Sequence, residues 1–201
     1  DAAGAVKGLL IEEARTNLIT YSSDFTNAAW SKNGGVALGA ATNQLGLNMT
    51  TLTDANATGF GHINNPFTLA PSTVYTMSGY VTRNPSATSL ASIRVQQNDS
   101  ILSTQFSGIS INPTDGTFGS PWTSGLISRN VVPYGPDLYF WYVTFTTSAN
   151  ITTSYCQVFP AHYDLSGGDG AAAVGSNSFG GLQIEQGAFP TSYIPTTGAT
   201  A

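Results

Sequence analysis

The segment Leu138–Thr147, which reads LYFWYVTFTT, decides the fold of this chain. In a β-strand, successive side chains point to opposite faces of the sheet. One face of this segment is apolar throughout and consists of Tyr139, Trp141, Val143 and Phe145. The opposite face begins with Leu138, Phe140 and Tyr142 and then changes to threonine. This pattern is typical of a central strand in a two-sheet sandwich, with one face in the core and the other partly exposed to water.

Other segments alternate in the same way, most clearly Val74–Thr82. Shorter alternating segments are Ile63–Leu69, Ile93–Gln97, Ile127–Val132, Thr152–Phe159 and Leu182–Glu185. The stretch Gly34–Thr53 alternates weakly and predicts a loop plus one edge strand. No segment of helical length places apolar residues at i, i+3, i+4 and i+7. The sequence therefore predicts an all-β fold, an antiparallel two-sheet jelly-roll sandwich with almost no helix.

We expect residues 1–201 to form a single β-sandwich domain that is a fragment of a longer virion or secreted protein.

Composition and charge limit the classes of partner that the chain can bind. Charged residues make up 8% of the chain, so Ser, Thr, Asn, Gln and Gly must cover its surface, as in extracellular or virion-surface proteins that bind neutral polar ligands. Six Lys and Arg and a net charge of −5 argue against nucleic acid, and no apolar run is long enough to span a membrane.

Catalytic chemistry finds little support in the sequence, and we expect no enzymatic activity. The chain has two histidines, His62 and His162, and no G-x-S-x-G motif that would mark a serine nucleophile. The single cysteine, Cys156, lies in an alternating segment and is predicted to be a small core residue. No spacing suggests a zinc site. A glycosidase needs two carboxylates across a cleft, and eleven Asp and Glu leave that alternative open, although nothing pairs two of them.

Carbohydrate binding is the function that the aromatic and amide residues favour, because sugar rings stack on aromatic faces while polar side chains bind their hydroxyls. Trp30 and Trp141 are assigned to the core. The aromatic candidates for an exposed face or loop are Tyr80, Trp122, Tyr134, Phe140 and Tyr142. The polar companions are Arg94, Gln96, Arg129, Asn130 and Asp137. Tyr80 and Tyr142 are predicted to share one exposed surface that Trp122 and Tyr134 border. Exposed aromatics are equally compatible with contacts between subunits.

Five motifs carry a resemblance over nearly the whole chain, from Gly8 to Thr197. They are GLLIEEARTNLITYSSDF with Trp30, YTMSGYV, NPTDGTF, the Trp141 strand and GGLQIEQGAFPTSYIPT. Together they resemble a recurrent domain of bacteriophage tail and head-fibre proteins. The order of features is also similar to jelly-roll carbohydrate-binding modules. The resemblance implies a concanavalin-like or carbohydrate-binding-module-like, lectin-like sandwich on a virion or on a polysaccharide-binding protein.

The resemblance has consequences for metal, location and partners. Such modules often carry an acidic pair in the late strand that helps to hold a structural calcium ion. Here the pair is reduced to Gln183 and Glu185, so we expect no cofactor and do not favour calcium. Two hypotheses follow for a protein at the virion surface or in the extracellular space. In the first, the chain binds a neutral polysaccharide or cell-surface glycan and serves host attachment. In the second, it is a structural tail-fibre domain whose exposed aromatics join the subunits of a homo-oligomer.

Overall fold

The computed structural model describes residues 12–119, 122–165 and 173–198, which are all strands, turns and irregular segments. Residues 8–11 of the opening motif lie outside these ranges. In chain order the strands are β1 (Ser31–Asn33), β2 (Ala37–Gln44), β3 (Leu47–Asp54), β4 (His62–Phe67), β5 (Val74–Thr82), β6 (Leu90–Asp99), β7 (Gln105–Ile111), β8 (Phe118–Gly119), β9 (Leu126–Tyr134), β10 (Leu138–Thr146), β11 (Ile151–His162) and β12 (Gly175–Gln186). Within the described ranges, no helix has the length and apolarity needed to cross a membrane.

These strands form two antiparallel sheets that pack face to face. Sheet A has the order β1-β4-β11-β6-β7-β8, and sheet B has the order β2-β3-β12-β5-β10-β9. Most neighbours in each sheet are distant in sequence, as the crossing connections of a jelly roll require. The predicted fold class, an antiparallel two-sheet jelly-roll sandwich, is confirmed.

The apolar face of β10 forms the centre of the core, as its alternation predicts. β10 pairs with β5 along its whole length and with β9 on its other side. The ring of Trp141 is fully buried, and Tyr139, Val143 and Phe145 join it in one cluster with Ile93 and Val95 of the opposite sheet. Cys156 lies in the same cluster, and burial raises the pKa of its thiol, so it is a core residue and not a nucleophile.

The prediction for Gly34–Thr53 is wrong in one respect. This stretch contains two strands, β2 and β3, which pair as a hairpin through the two-residue turn Leu45–Gly46. β2 reads ALGAATNQ and is exposed along most of its length, so it has no buried face that could produce an apolar alternation. Its pairing rests on backbone hydrogen bonds and on the turn, and neither contributes to a hydrophobic pattern.

Two further segments pack on β12 of sheet B. Residues 17–22 run beside it, since Leu18 N donates to Ile184 O at 2.8 Å and Leu182 N donates to Ser22 O at 3.1 Å. The segment after the strand, residues 187–197, folds back over the outer face of the same sheet. There Ile194 N donates to the side chain of Gln183 at 2.7 Å. The two outer faces of the sandwich are therefore unequal, because sheet B carries an additional layer of chain.

Candidate functional site

The structure divides the predicted site residues between opposite faces of the molecule. Tyr80, Asn130, Tyr134 and Tyr142 lie on the outer face of sheet B, as the register of β5, β9 and β10 requires. Arg94 is on β6 of sheet A, and Trp122 packs over it. The core of the sandwich lies between these two groups. The prediction that Trp122 borders the same surface as Tyr142 is therefore wrong, because the pairing of distant strands decides which sheet each residue joins.

The outer face of sheet B does bring Tyr80 and Tyr142 onto one surface, but it buries Tyr80. The ring of Tyr80 packs against Tyr134, at 4.9 Å between ring centroids, and against Phe140, at 5.3 Å. Leu47 and Met49 of β3 complete this second apolar cluster. Burial, followed by the nearby Tyr134, raises the pKa of Tyr80 to about 12. The prediction that Tyr80 is an exposed ligand contact is wrong, because strand parity identifies its face without identifying what covers it.

The rest of this face is partly filled by residues 187–197. Thr76 Oγ1 donates to Gly187 O at 2.9 Å, and Thr144 Oγ1 approaches Ala188 O at 3.4 Å. The side of β9 and β10 remains open, and there Asn130 lies opposite Tyr142, with both side chains half-buried. Tyr134, at the end of β9, is exposed.

Two polar residues of the predicted site do not converge with Tyr142. Arg129 is paired with Val143, so its side chain leaves β9 on the face opposite to that of Asn130. Asp137 lies in the exposed turn between β9 and β10, where its backbone carbonyl accepts a hydrogen bond from Arg83 N at 2.8 Å. The predicted residues on sheet B therefore form a narrow strip rather than a binding surface with several polar groups.

The outer face of sheet A carries a polar row that crosses five strands. In register, this row contains Ser31, Asn64, Gln157, Arg94 and Gly108. Arg94 Nε donates to Gln157 Oε1 at 2.7 Å, which fixes the amide of Gln157. A Cβ on Gly108 would lie 2.6 Å from Cβ of Arg94, so only glycine leaves room for this arginine.

A second row lies beside the first and is open to solvent. It contains Pro66, Tyr155, Gln96 and Phe106 in register. Gln96 Nε2 donates to Asn98 Oδ1 at 2.9 Å, and Asn98 Nδ2 donates to Thr153 Oγ1 at 2.7 Å. Tyr155 and Phe106 are two strands apart, a separation of about 9.5 Å at the usual strand spacing. We define the amide face as Asn64, Gln96, Asn98, Phe106, Thr153 and Tyr155, of which Thr153 is exposed and the others are half-buried.

Arg94 and Trp122 support this surface from one side. The guanidinium carbon of Arg94 lies 4.0 Å from the ring centroid of Phe106, 4.9 Å from that of Trp122 and 4.8 Å from that of Phe159. Both Arg94 and Trp122 are buried, at 3% and 4% exposure. Their prediction as exposed ligand contacts is wrong, because the Trp122 segment packs back onto sheet A, where Gly108 N donates to Trp122 O at 3.1 Å. The pair holds the rings and Gln157 in place.

Sequence reasoning missed most of the amide face, although part of its signal was present. Alternation in Thr152–Phe159 places Tyr155 and Gln157 opposite the buried Cys156, and the parity of β6 places Gln96 beside Asn98. Asn64 follows from the same rule in β4. No local pattern states that β4, β11, β6 and β7 are neighbours, and this adjacency is what gathers these residues.

The carboxylate of Glu185, the acidic residue of β12, is not arranged as a calcium ligand. Calcium takes six to eight oxygen ligands. Glu185 is instead surrounded by donors, since it accepts hydrogen bonds from Thr191 N at 2.8 Å, Thr191 Oγ1 at 2.7 Å and Gln183 Nε2 at 2.8 Å. Across the described ranges, no group of three or more His, Cys, Asp and Glu side chains is placed to hold a metal ion.

Comparison with known proteins found similarity in structure only. No protein-family model matches the chain. No curated protein matches it either. The enzymatically active domain of bacteriophage CBA120 tailspike protein 4 is similar, with a TM-score of 0.48 and 11% identity over 84% of this chain and 21% of that one.

Two carbohydrate-binding modules are similar over nearly their whole length. A CBM4 module gives a TM-score of 0.44 at 12% identity, covering 83% of this chain and 94% of the module. The module TmCBM27, described for specific mannan recognition, gives a TM-score of 0.43 at 8% identity, covering 87% of this chain and 98% of that one. At these identities the similarity concerns the fold alone.

Proposed function

We propose that this chain is a non-catalytic carbohydrate-binding domain that holds a neutral glycan on the amide face. The observation that carries the proposal is the row in which Gln96 stands between the rings of Tyr155 and Phe106. Aromatic rings offer stacking surfaces to sugar rings, and amides supply both donors and acceptors for hydroxyl groups. The side chains of Gln96 and Asn98 are already hydrogen-bonded to neighbours, so little conformational entropy is lost when a ligand binds.

The charge distribution favours a neutral ligand. The arginine nearest to the amide face, Arg94, is buried among rings, and the chain has a net charge of −5. A polyanion would be repelled by that net charge. The amide face consists of amides, two hydroxyls and rings, and therefore lacks the two carboxylates that a retaining or inverting glycosidase uses. Binding without turnover is the role that we assign to it.

We place this activity on a virion appendage or on another extracellular polysaccharide-targeting protein. The sequence motifs that resemble bacteriophage tail and head-fibre domains support that setting. In it, adhesion to a cell-surface glycan would serve host attachment.

A glycan array followed by isothermal titration tests the proposal. Tyr155→Ala and Gln96→Ala should each weaken binding of the array's best neutral glycan at least tenfold, since each removes one contact of the row. Tyr142→Ala is the matched control, because it removes a half-buried tyrosine from the opposite sheet, and it should bind like wild type. Loss of binding in Tyr142→Ala with normal binding in Tyr155→Ala would move the site to sheet B.

A second function is favoured by a specific observation on β9. This edge strand of sheet B exposes three large apolar side chains, Ile127 at 54%, Val132 at 39% and Tyr134 at 42%. Exposed apolar groups on a sheet edge are typical of subunit contacts. A structural virion domain would use this strip in a homo-oligomer. Light scattering tests this function: a stable oligomer that Val132→Asp dissociates, in a protein that binds no glycan of a broad panel, would support the structural role.

A further inference from the structure

The most deeply buried charge among the described residues is the carboxylate of Glu185. Its side chain has 0% exposure and lies on the outer face of β12 beneath the segment 187–197. A buried carboxylate is costly unless donors and a positive charge surround it. Three donors from Gln183 and Thr191 form hydrogen bonds to this carboxylate, as described above. These hydrogen bonds do not neutralise its negative charge.

The positive charge comes from Arg15, in the segment that precedes the first strand. Arg15 Nη1 lies 3.5 Å from Glu185 Oε2 and donates to Phe189 O at 2.8 Å. Its Nη2 donates to Glu13 Oε2 at 2.8 Å, and its guanidinium carbon lies 4.3 Å from the ring centroid of Phe189. The Arg15 side chain is 5% exposed, so this cation is held almost wholly inside the protein.

The backbone is shaped around this guanidinium. Gly187 has a φ of +139°, a conformation that side-chain-bearing residues rarely adopt. A Cβ on Gly187 would lie 2.1 Å from Arg15 Nη1 and 2.3 Å from its Cζ. Glycine at this position therefore allows the chain to approach the guanidinium closely as it leaves β12.

We infer that Arg15 is the built-in counter-cation of Glu185 and fixes the segments before and after the sheets to β12, the structural role that calcium has in the modules that the sequence resembles. The side chain of Asn17 reinforces the same junction, since its Nδ2 donates to Leu182 O at 3.0 Å and to Ile194 O at 2.9 Å. A guanidinium offers a planar set of donors and keeps its charge at every accessible pH. The junction at β12 should accordingly need no calcium ion for its stability.

Differential scanning calorimetry tests this inference without reference to any glycan. The melting temperature of the wild type should be the same in EDTA and in calcium. Arg15→Ala should lower it by about 10 °C, because a buried carboxylate then loses its counter-charge. Glu185→Gln is the partner variant, and in Arg15→Ala/Glu185→Gln the loss should be smaller than the sum of the two single losses. This non-additivity measures the coupling between the two side chains, which independent substitutions would not show.

Arg15→Lys keeps the experiment informative if the alanine variant does not fold. Lysine retains the charge but not the fork of donors, so a smaller loss than for alanine is expected, again unaffected by calcium. A wild-type melting temperature that EDTA lowers and calcium restores would overturn the inference. Strict additivity of the Arg15 and Glu185 substitutions would overturn it as well.

Discussion

At the scale of single residues, Trp141 shows how a large ring is accommodated in the core. Its ring lies over Gly79 of the neighbouring strand, where a Cβ would be 2.9 Å from Cζ2 of the indole. We expect Trp141→Ala to reduce the free energy of unfolding by about 3–5 kcal/mol, the usual result of removing a large aromatic from a core. Urea denaturation measures this loss. The control is Ile101→Ala, at a side chain with 75% exposure, and the prediction fails if both variants show the wild-type midpoint.

Tyr80 makes the stability of the protein depend on pH in the alkaline range. Its pKa is raised to about 12, mainly by burial, whereas an unfolded tyrosine ionises near pH 10. Between these values the unfolded chain has lost the Tyr80 proton and the folded chain still holds it, so rising pH favours unfolding. Stability from this group is complete below about pH 10 and decreases up to about pH 12.

Denaturation midpoints measured across this pH range check the Tyr80 prediction. Tyr80→Phe removes the ionisable hydroxyl and should show a shallower decrease in stability with pH than wild type. Tyr163→Phe, at an exposed ring, is the matched control. Equal decreases in stability with pH for wild type and Tyr80→Phe would contradict the prediction. They would show that the cluster around Tyr80 opens to water before the Tyr80 hydroxyl loses its proton.

At the scale of elements, the turn of the β2–β3 hairpin contains a strained leucine that a substitution can relieve. Leu45 has a φ of +52° and Gly46 a φ of +83°, the two positive values that a type I′ turn needs. Leucine is poorly suited to that conformation, while Asn-Gly is the preferred pair. Leu45→Asn should therefore raise the free energy of unfolding by about 0.5–1 kcal/mol, and Gly46→Ala should lower it by about 1–2 kcal/mol. Thermal melts of both variants measure the opposite signs. Two shifts of the same sign would contradict this turn assignment.

The elements also show which structural information a sequence contains. Alternation predicts β5 and β10 to within one residue because each buries one complete face in the core. It does not predict β2, whose two faces are both largely exposed. Where burial imposes a period of two, the existence of a strand therefore follows from the sequence.

The candidate site was harder to predict for a related reason. Parity correctly places Tyr80 and Tyr142 on one face and Arg94 outside the core. It does not state that Leu47 and Met49 cover Tyr80, or that Trp122 covers Arg94, because these contacts join segments far apart in sequence. Tyr155 was accessible to the same parity argument, but its importance appears only when β11 is known to lie beside β6.

At the scale of the whole molecule, the two sheets differ in what lies on their outer faces. Sheet B is covered by the segment that follows β12, which is fixed there by Arg15 and Asn17. Sheet A presents the amide face on the opposite side of the core. This separation means that substitutions on the amide face can alter binding without loosening the Arg15 junction.

Charge at the molecular scale leads to the last prediction. The amide face offers rings and amides but no exposed cation, so glycan binding there requires no ion pair. Affinity should be modest, with dissociation constants of roughly micromolar to millimolar, or about −8 to −4 kcal/mol. It should change little between low and high salt, since screening acts on charges. Isothermal titration of the wild type and of Arg129→Gln at both salt concentrations measures this. A steep salt dependence that Arg129→Gln removes would instead identify an anionic glycan bound at the β9 edge of sheet B.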